Sequence, residues 1–306
     1  MNNFKVSTSP HINDSATTSR IMLDVLIALI PAFVASILIF GARAALVTAV
    51  CVVSCVLFEW LFNRLTKKPN TIDDFSACIT GVLLAFNLPV TIPLWQAVFG
   101  SAVAIILVKQ IFGGLGKNFA NPAITARIVM FLAFAVPMTT WVSPIDGLTG
   151  ATPLALIGRG EIYALPGIWD MFIGVRGGSL GETSNIALLI GGIYLVFRKV
   201  ITWHAPVTFI AVVFVFSALL GQEPVHQLFG GGLFLGAIFM ATDYVTSPQT
   251  NKGRLIFGVG CGLFTVLFRF YSSYPEGVSF AILLMNILTP YINKFTVSKP
   301  FGGVKS

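Results

Sequence analysis

The sequence predicts an all-α integral membrane protein, one bundle of about ten transmembrane helices arranged as two inverted five-helix repeats with broken helices. Three observations carry that expectation. Hydrophobic residues make up 56% of the 306 positions and charged residues only 10%, where soluble domains carry about 25% charged residues. Apolar segments recur roughly every 20 to 30 residues with no linker between them, so a single membrane domain is expected. The connections between those segments alternate in basic content, as the positive-inside rule requires of a multi-pass chain.

Residues 1–20 are polar, and the first apolar run, 21–40, is long enough for a hydrocarbon core of about 30 Å at 1.5 Å per residue. No small-residue cleavage site follows a short apolar region, so this run reads as an uncleaved span and not as a signal peptide. Further spans are expected near 44–63, 75–88, 94–112 and 123–138, completing a first repeat over 21–138. A loop over 139–184 follows. Spans near 185–198, 205–220, 228–241, 255–270 and 278–293 make a second repeat over 185–294, with 295–306 as a tail.

Several of these spans are shorter than the 17 to 25 residues of a straight crossing. The third ends in Asn87-Leu88-Pro89-Val90-Thr91-Ile92-Pro93, and a proline pair breaks a helix. Backbone freed inside a bilayer must be satisfied by protein or water, so such breaks line cavities or helix contacts. Shifting the sequence by 155 residues brings Gly81, Val90, Thr91 and Pro93 onto Gly236, Val245, Thr246 and Pro248; after a three-residue insertion Phe99, Gly100 and Val108 meet Phe257, Gly258 and Val266. A break is thus expected at the same place in each half. Five spans per half is an odd number, which gives the halves opposite orientations.

The net charge of +7 is a topology signal. Lys5, Arg20, Arg64, Lys67, Lys68, Lys117, Arg198, Lys199, Lys252, Arg254, Lys294, Lys299 and Lys305 fall on one side, and only Arg43, Arg159, Arg176 and Arg269 on the other. Both termini are then cytoplasmic, the loop over 139–184 is outside, and no nucleic-acid partner is expected. Gly113-Gly114, Gly191-Gly192 and Gly230-Gly231-Gly232 with Gly236 read as close-packing points between helices. A phosphate cradle at the triple glycine lacks the preceding strand it would need.

Within the outer loop stands Asp146-Gly147-Leu148-Thr149-Gly150-Ala151-Thr152. Its small residues present Thr152 as an accessible hydroxyl, able to form a phosphodiester with a flavin mononucleotide (FMN) under the action of an external transferase. Asp146, Thr149, Gly150 and Ala151 complete the motif. Thr149 and Thr152 also read as caps for a helix beginning at Pro153, and the two readings are compatible, since a helix N-terminus favours a phosphate.

This heptad, Pro153-Leu154-Ala155, Gly181-Glu182-Thr183-Ser184-Asn185, Lys117-Asn118-Phe119-Ala120-Asn121-Pro122-Ala123, and Ala241-Thr242-Asp243 with Thr246-Ser247-Pro248 together resemble the RnfD subunits of ion-translocating Rnf complexes. That family is homologous to the NqrB subunits of sodium-pumping quinone reductases, which usually carry a longer N-terminal extension. The similarity runs over 9–294. The resemblance implies covalent FMN on Thr152 and a bacterial cytoplasmic membrane location. It implies a role as electron relay within a translocase that moves electrons between ferredoxin and NAD while transporting sodium ions or protons. It implies RnfA, RnfB, RnfC, RnfE and RnfG as partners, together with a flavin transferase. A second, noncovalent riboflavin is a further family expectation, with Asn118, Asn121 and Thr125 as its candidate contacts; the same residues read equally as caps of the fifth span.

Intramembrane ionisable residues are functional candidates by default. Asp243, beside the second break, is the candidate ion or proton relay. Asp24 is expected to pair with Arg20 one turn away, Glu59 to reach the interface near Arg64, and Arg127 either to contact a flavin or quinone-like group or to reach back to the interface. The four cysteines read as small buried hydrophobes. His11, His204 and His226 lie near or outside the membrane edges, which disfavours a bis-histidine haem. Trp60, Trp95, Trp141 and Trp203 read as an aromatic belt. Two other classes remain open on the residues alone: a channel for a small solute, which inverted repeats also suit, and an anchor for redox subunits.

Overall fold

A computed structural model describes residues 17–144, 147–272 and 277–297. The chain opens with two long helices, α1 (Thr18–Phe40) and α2 (Ala42–Leu65). The Thr17 hydroxyl caps α1 by accepting from the Arg20 amide at 3.3 Å, and Gly41, at φ +74°, turns the chain directly from one helix into the next. Then follow α3 (Ser76–Phe86) and α4 (Leu94–Ala102), the latter continuing as a π-helical stretch over Val103–Gln110. Next come α5 (Pro122–Ala133) and α6 (Ala135–Thr139).

The segment expected to be a loop contains structure of its own: a ribbon of β1 (Trp141–Val142) and β2 (Thr149–Gly150), then α7 (Pro153–Gly158) and α8 (Ile168–Ile173). The second half holds α9 (Asn185–Phe197), α10 (His204–Leu219), α11 (Pro224–Phe229), and α12 (Leu233–Leu235) running into a π-helical turn over Gly236–Met240. It closes with α13 (Asn251–Tyr271) and α14 (Val278–Thr296). Among the described residues α1, α2, α13 and α14 are long and apolar enough to cross a membrane alone; α3, α4 with its π stretch, α5, α9 and α10 are apolar but shorter.

The predicted spans match these helices to within a few residues, with two differences. The fifth is interrupted at Phe134. The eighth, expected over 228–241, is split by Gly230-Gly231-Gly232, where Gly231 and Gly232 take φ of +61° and +67°. A left-handed pair ends one helix and starts another.

Both halves carry a short helix, a non-helical break and a longer helix: α3, 87–93 and α4 with its π stretch in the first, α12 with its π turn, 241–250 and α13 in the second. The first break has its freed carbonyls answered from the 139–184 segment, whose Leu180 and Gly181 amides donate to Leu88 O (3.0 Å) and Phe86 O (3.1 Å). A side chain at Gly181 would place its Cβ 2.1 Å from the Phe86 ring. Glycine there is a packing requirement. Helices α10 and α13 approach through Gly258 and Gly262, whose added Cβ atoms would lie 2.8 Å from Ala205 O and 2.6 Å from Val212 Cγ1, the small-residue spacing that membrane helices use for close contact.

The halves meet where α1 packs on α9 and where α5 packs on α14. Arg127 of α5 donates to the Ser279 hydroxyl at 3.0 Å, and Asn286 of α14, with its amide oriented to satisfy its neighbours, accepts from the Asn121 amide at 3.1 Å and donates to Thr246 O at 3.3 Å. The earlier residue of α5 pairs with the later residue of α14 and the reverse, so the two helices run antiparallel.

Candidate functional site

The ribbon pairs Trp141 with Gly150 and Val142 with Thr149, and from its end the chain delivers Thr152 to the N-cap of α7. There Pro153 supplies the first helical position, and the Thr152 hydroxyl oxygen accepts from the Ala155 amide at 3.3 Å. Thr149 sits in β2 and does not cap. Asp146 lies outside the described residues. The expected open presentation of Thr152 is corrected: the residue is only 6% exposed. What it opens onto is a cavity.

That cavity measures about 650 Å³, within the usual range of organic ligand sites, about 300 to 1,000 Å³. Thr149, Gly150, Ala151, Thr152, Ala155 and Arg159 form one wall; Arg127, Ile128 and Phe131 of α5, Thr139 to Trp141, and Ser279 and Phe280 of α14 form the rest. Phe131 and Phe280 meet edge to face at 6.2 Å. Arg127, 6% exposed, donates to Asn87 Oδ1 at 2.9 Å as well as to Ser279. Arg159 is exposed at the end of α7. Among the described residues two guanidinium groups and no carboxylate line the space. Its chemistry favours an aromatic group that carries negative charge.

Helix α7 is keyed to the rest of the bundle by Leu154, which fills the space where Gly230 and Gly231 would carry Cβ atoms, at 2.9 and 2.4 Å. Arg269 ties the same kink by donating to Gly230 O (3.0 Å) and Gln227 O (2.5 Å). The triple glycine therefore seats the helix that bears Thr152. Because α7 has only six residues, its N-terminus adds little positive potential, and the guanidinium groups of Arg127 and Arg159 carry the positive charge of the cavity.

A second cavity, of about 90 Å³, brings Asn118, Asn121 and Asp243 together with Ser76, Thr80 and Lys109. Asn118 donates to Ala120 O at 3.0 Å, and Asn121 caps α5 by accepting from the Ala123 and Ile124 amides at 3.0 and 3.3 Å. Asp243 accepts from the Thr246 hydroxyl at 2.9 Å. Thr125 is not brought to this cavity; its hydroxyl donates back to Asn121 O at 2.9 Å.

A sequence profile for the family described as NQR2, RnfD, RnfE matches residues 5–302. The chain belongs to that family. It is 47% identical to the D subunit of the Na(+)-translocating ferredoxin:NAD(+) oxidoreductase complex of Acetobacterium woodii, over 99% of this chain and 96% of that relative. It is 41% identical to the D subunit of the proton-translocating ferredoxin:NAD(+) oxidoreductase complex of Clostridium ljungdahlii, over 98% and 97%. With the D subunit of the ion-translocating oxidoreductase complex of Escherichia coli (strain K12) the identity is 34%, over 98% of each chain.

In this NQR2, RnfD, RnfE family chain, several charged residues take partners other than those their sequence neighbours offered. Asp24 pairs with Arg198 (3.1 Å) and accepts from the Tyr194 hydroxyl (3.0 Å), not with Arg20. Glu59 does not reach the interface near Arg64. It is fully buried, bound to Lys109 at 2.7 Å and to the Thr71 hydroxyl at 2.6 Å, while Lys109 also donates to the Ser76 hydroxyl at 2.6 Å. Arg127 stays inside, at the cavity. Trp141 is buried and lines the same cavity, so it leaves the aromatic belt, whereas Trp60, Trp95 and Trp203 remain exposed. Lys109 was missed by the sequence reading, although a lysine inside the apolar run 94–112 was signal enough. The cysteines are free thiols, with Cys51, Cys55 and Cys261 buried.

Proposed function

We propose that the chain is the membrane subunit of an ion-translocating ferredoxin:NAD oxidoreductase complex and carries FMN as a phosphodiester on the Thr152 hydroxyl oxygen. The observation that carries this reading is the cavity itself: about 650 Å³, aromatic and cationic, with the acceptor threonine in its wall. The hydrogen bond from the Ala155 amide leaves the hydroxyl proton and further acceptor capacity free, so the cap survives when the oxygen becomes an ester. Arg127 and Arg159 would balance the phosphodiester and any charge gained on reduction. Trp141, Phe131 and Phe280 would hold the ring system and keep water from it. FMN supplies one-electron chemistry when bound.

In this reading ten helical crossings form two inverted repeats: α1, α2, α3, α4 with its π stretch, and α5 with α6; then α9, α10, α11 with α12, α13 and α14. Antiparallel packing of α5 on α14 supports the opposite orientation of the halves. Basic residues assign both termini to the cytoplasm and the Thr152 ribbon to the outer face. RnfA, RnfB, RnfC, RnfE and RnfG are the proposed partners, and a flavin transferase the modifying enzyme. The cytoplasmic cavity, with Asp243, Asn118 and Asn121, is the proposed ion or proton path. At about 90 Å³ it suits water and a small cation, and a noncovalent riboflavin would require it to widen.

The test is fluorescence of the denatured chain, since only a covalent flavin survives denaturation. Thr152→Val should abolish the signal while the protein still inserts. A flavin-free wild-type chain, produced with its transferase, would favour a non-redox channel or anchor, and sodium-dependent quinone reduction by the complex would favour the NqrB-like alternative.

A further inference from the structure

A third cavity, of about 190 Å³, lies between the turn joining α9 to α10, the second break and the first turn of α13. Lys199, Thr202, Thr242, Tyr244, Ser247 and Arg254 supply its polar lining. Among the described residues no carboxylate lines it. We propose that this cavity binds the phosphate of an anionic phospholipid.

The site is built. Arg254 is held in place by donating through Nε to Pro248 O at 3.1 Å and through Nη1 to the Thr202 hydroxyl at 3.0 Å, which still leaves Nη2 without a bond to either group. The Tyr244 hydroxyl donates to Val200 O, fastening the second break to the α9–α10 turn across the cavity. Lys199 stands at φ +59°, the left-handed position that closes α9, where the Val200 amide donates to Leu195 O at 2.9 Å, and its side chain is among those lining the cavity. Two cations facing one small polar space, with no carboxylate among its described lining residues, suit a phosphate-sized anion from outside.

A phospholipid is favoured over free phosphate by what flanks the cavity. Phe197, 85% exposed, and Trp203, 54% exposed, bracket the Lys199 to Thr202 turn, giving acyl chains an apolar surface beside the charge. The basic-residue bias assigns this end to the cytoplasm, where anionic headgroups and basic pockets between membrane helices meet. The proposal does not depend on the flavin reading, because its residues lie in a different cavity from Thr152.

The experiment is thermal unfolding of the purified full chain in detergent micelles doped with phosphatidylglycerol, with phosphatidylcholine, or with inorganic phosphate at the same concentration. Phosphatidylglycerol should raise the midpoint, and the other two should not. Lys199→Gln with Arg254→Gln should weaken the apparent phosphatidylglycerol affinity at least tenfold. Because Arg254→Gln also cuts the tie to Pro248, Lys199→Gly serves as the second variant: it should raise the lipid-free midpoint by relieving the left-handed position, yet shrink the phosphatidylglycerol response. A lysine with a structural role alone would not give these opposite signs. Equal stabilisation by phosphatidylcholine, a match by inorganic phosphate, or an unchanged response in Lys199→Gly would each overturn the proposal.

Discussion

The two cavities that gather the candidate residues differ in size, in charge and in what built them. The one at Thr152 is about 650 Å³, holds two arginines, and takes most of its wall from the 139–184 segment. The one at Asp243 is about 90 Å³, contains a carboxylate with a lysine and two asparagines, and is walled mainly by the transmembrane helices and the second break. A roomy cationic space suits an organic anion held for good; a narrow mixed-charge space suits small species that come and go. The difference teaches that one helical scaffold is finished differently around its two cavities. The long 139–184 segment, with its ribbon and keyed helix, is what gives the Thr152 cavity its size and most of its wall.

The largest expected effect falls at the end that holds the Asp243 cavity. Lys109→Ala leaves Glu59 buried without its cation, at a cost of about 3 to 5 kcal/mol, while Lys109→Met with Glu59→Gln should recover much of the stability. Thermal unfolding of the three chains checks this, and equal midpoints would mean the pair is not what holds that end together. Gly181→Ala comes next. Its Cβ would overlap the Phe86 ring, costing about 1 to 3 kcal/mol and loosening the 139–184 segment from the first break; protease nicking within 139–184 should rise, and the comparison fails if the segment stays protected.

Asp243→Asn should lower ion transport per electron about tenfold, roughly 1.4 kcal/mol, with flavin content unchanged, as measured in vesicles containing the whole complex. Loss of flavin in that variant would merge the two ends that we separate. The smallest effect is expected of Arg159→Gln, at the exposed rim. Flavin incorporation should fall only severalfold, about 1 kcal/mol, against a much deeper loss for Arg127→Gln at the cavity floor. Comparing fluorescence per chain in the two variants ranks the arginines.

Helix positions were legible because apolar run length and proline pairs report directly on bilayer crossing, and the caps at Asn121 and Thr152 follow from the Pro that succeeds each. Partners were not. Asp24 finds Arg198 174 residues away and Glu59 finds Lys109 50 residues away, distances at which packing, not periodicity, decides who meets. Trp141 looked like an interfacial residue because a tryptophan at a span end usually is one; the ribbon that buries it depends on a turn whose pairing leaves no apolar alternation over two-residue strands. The triple glycine was read rightly as packing, but its partner, Leu154 beside the acceptor threonine, came into view only with the fold.

The central claim is that Thr152 is esterified to a redox cofactor inside the outer cavity. Intact mass of the wild-type chain and of Thr152→Val, both produced with the transferase, tests it most directly. The account predicts one FMN added to the wild-type chain and none to the variant. A wild-type chain at its bare polypeptide mass, or an adduct that persists in the variant, would contradict it.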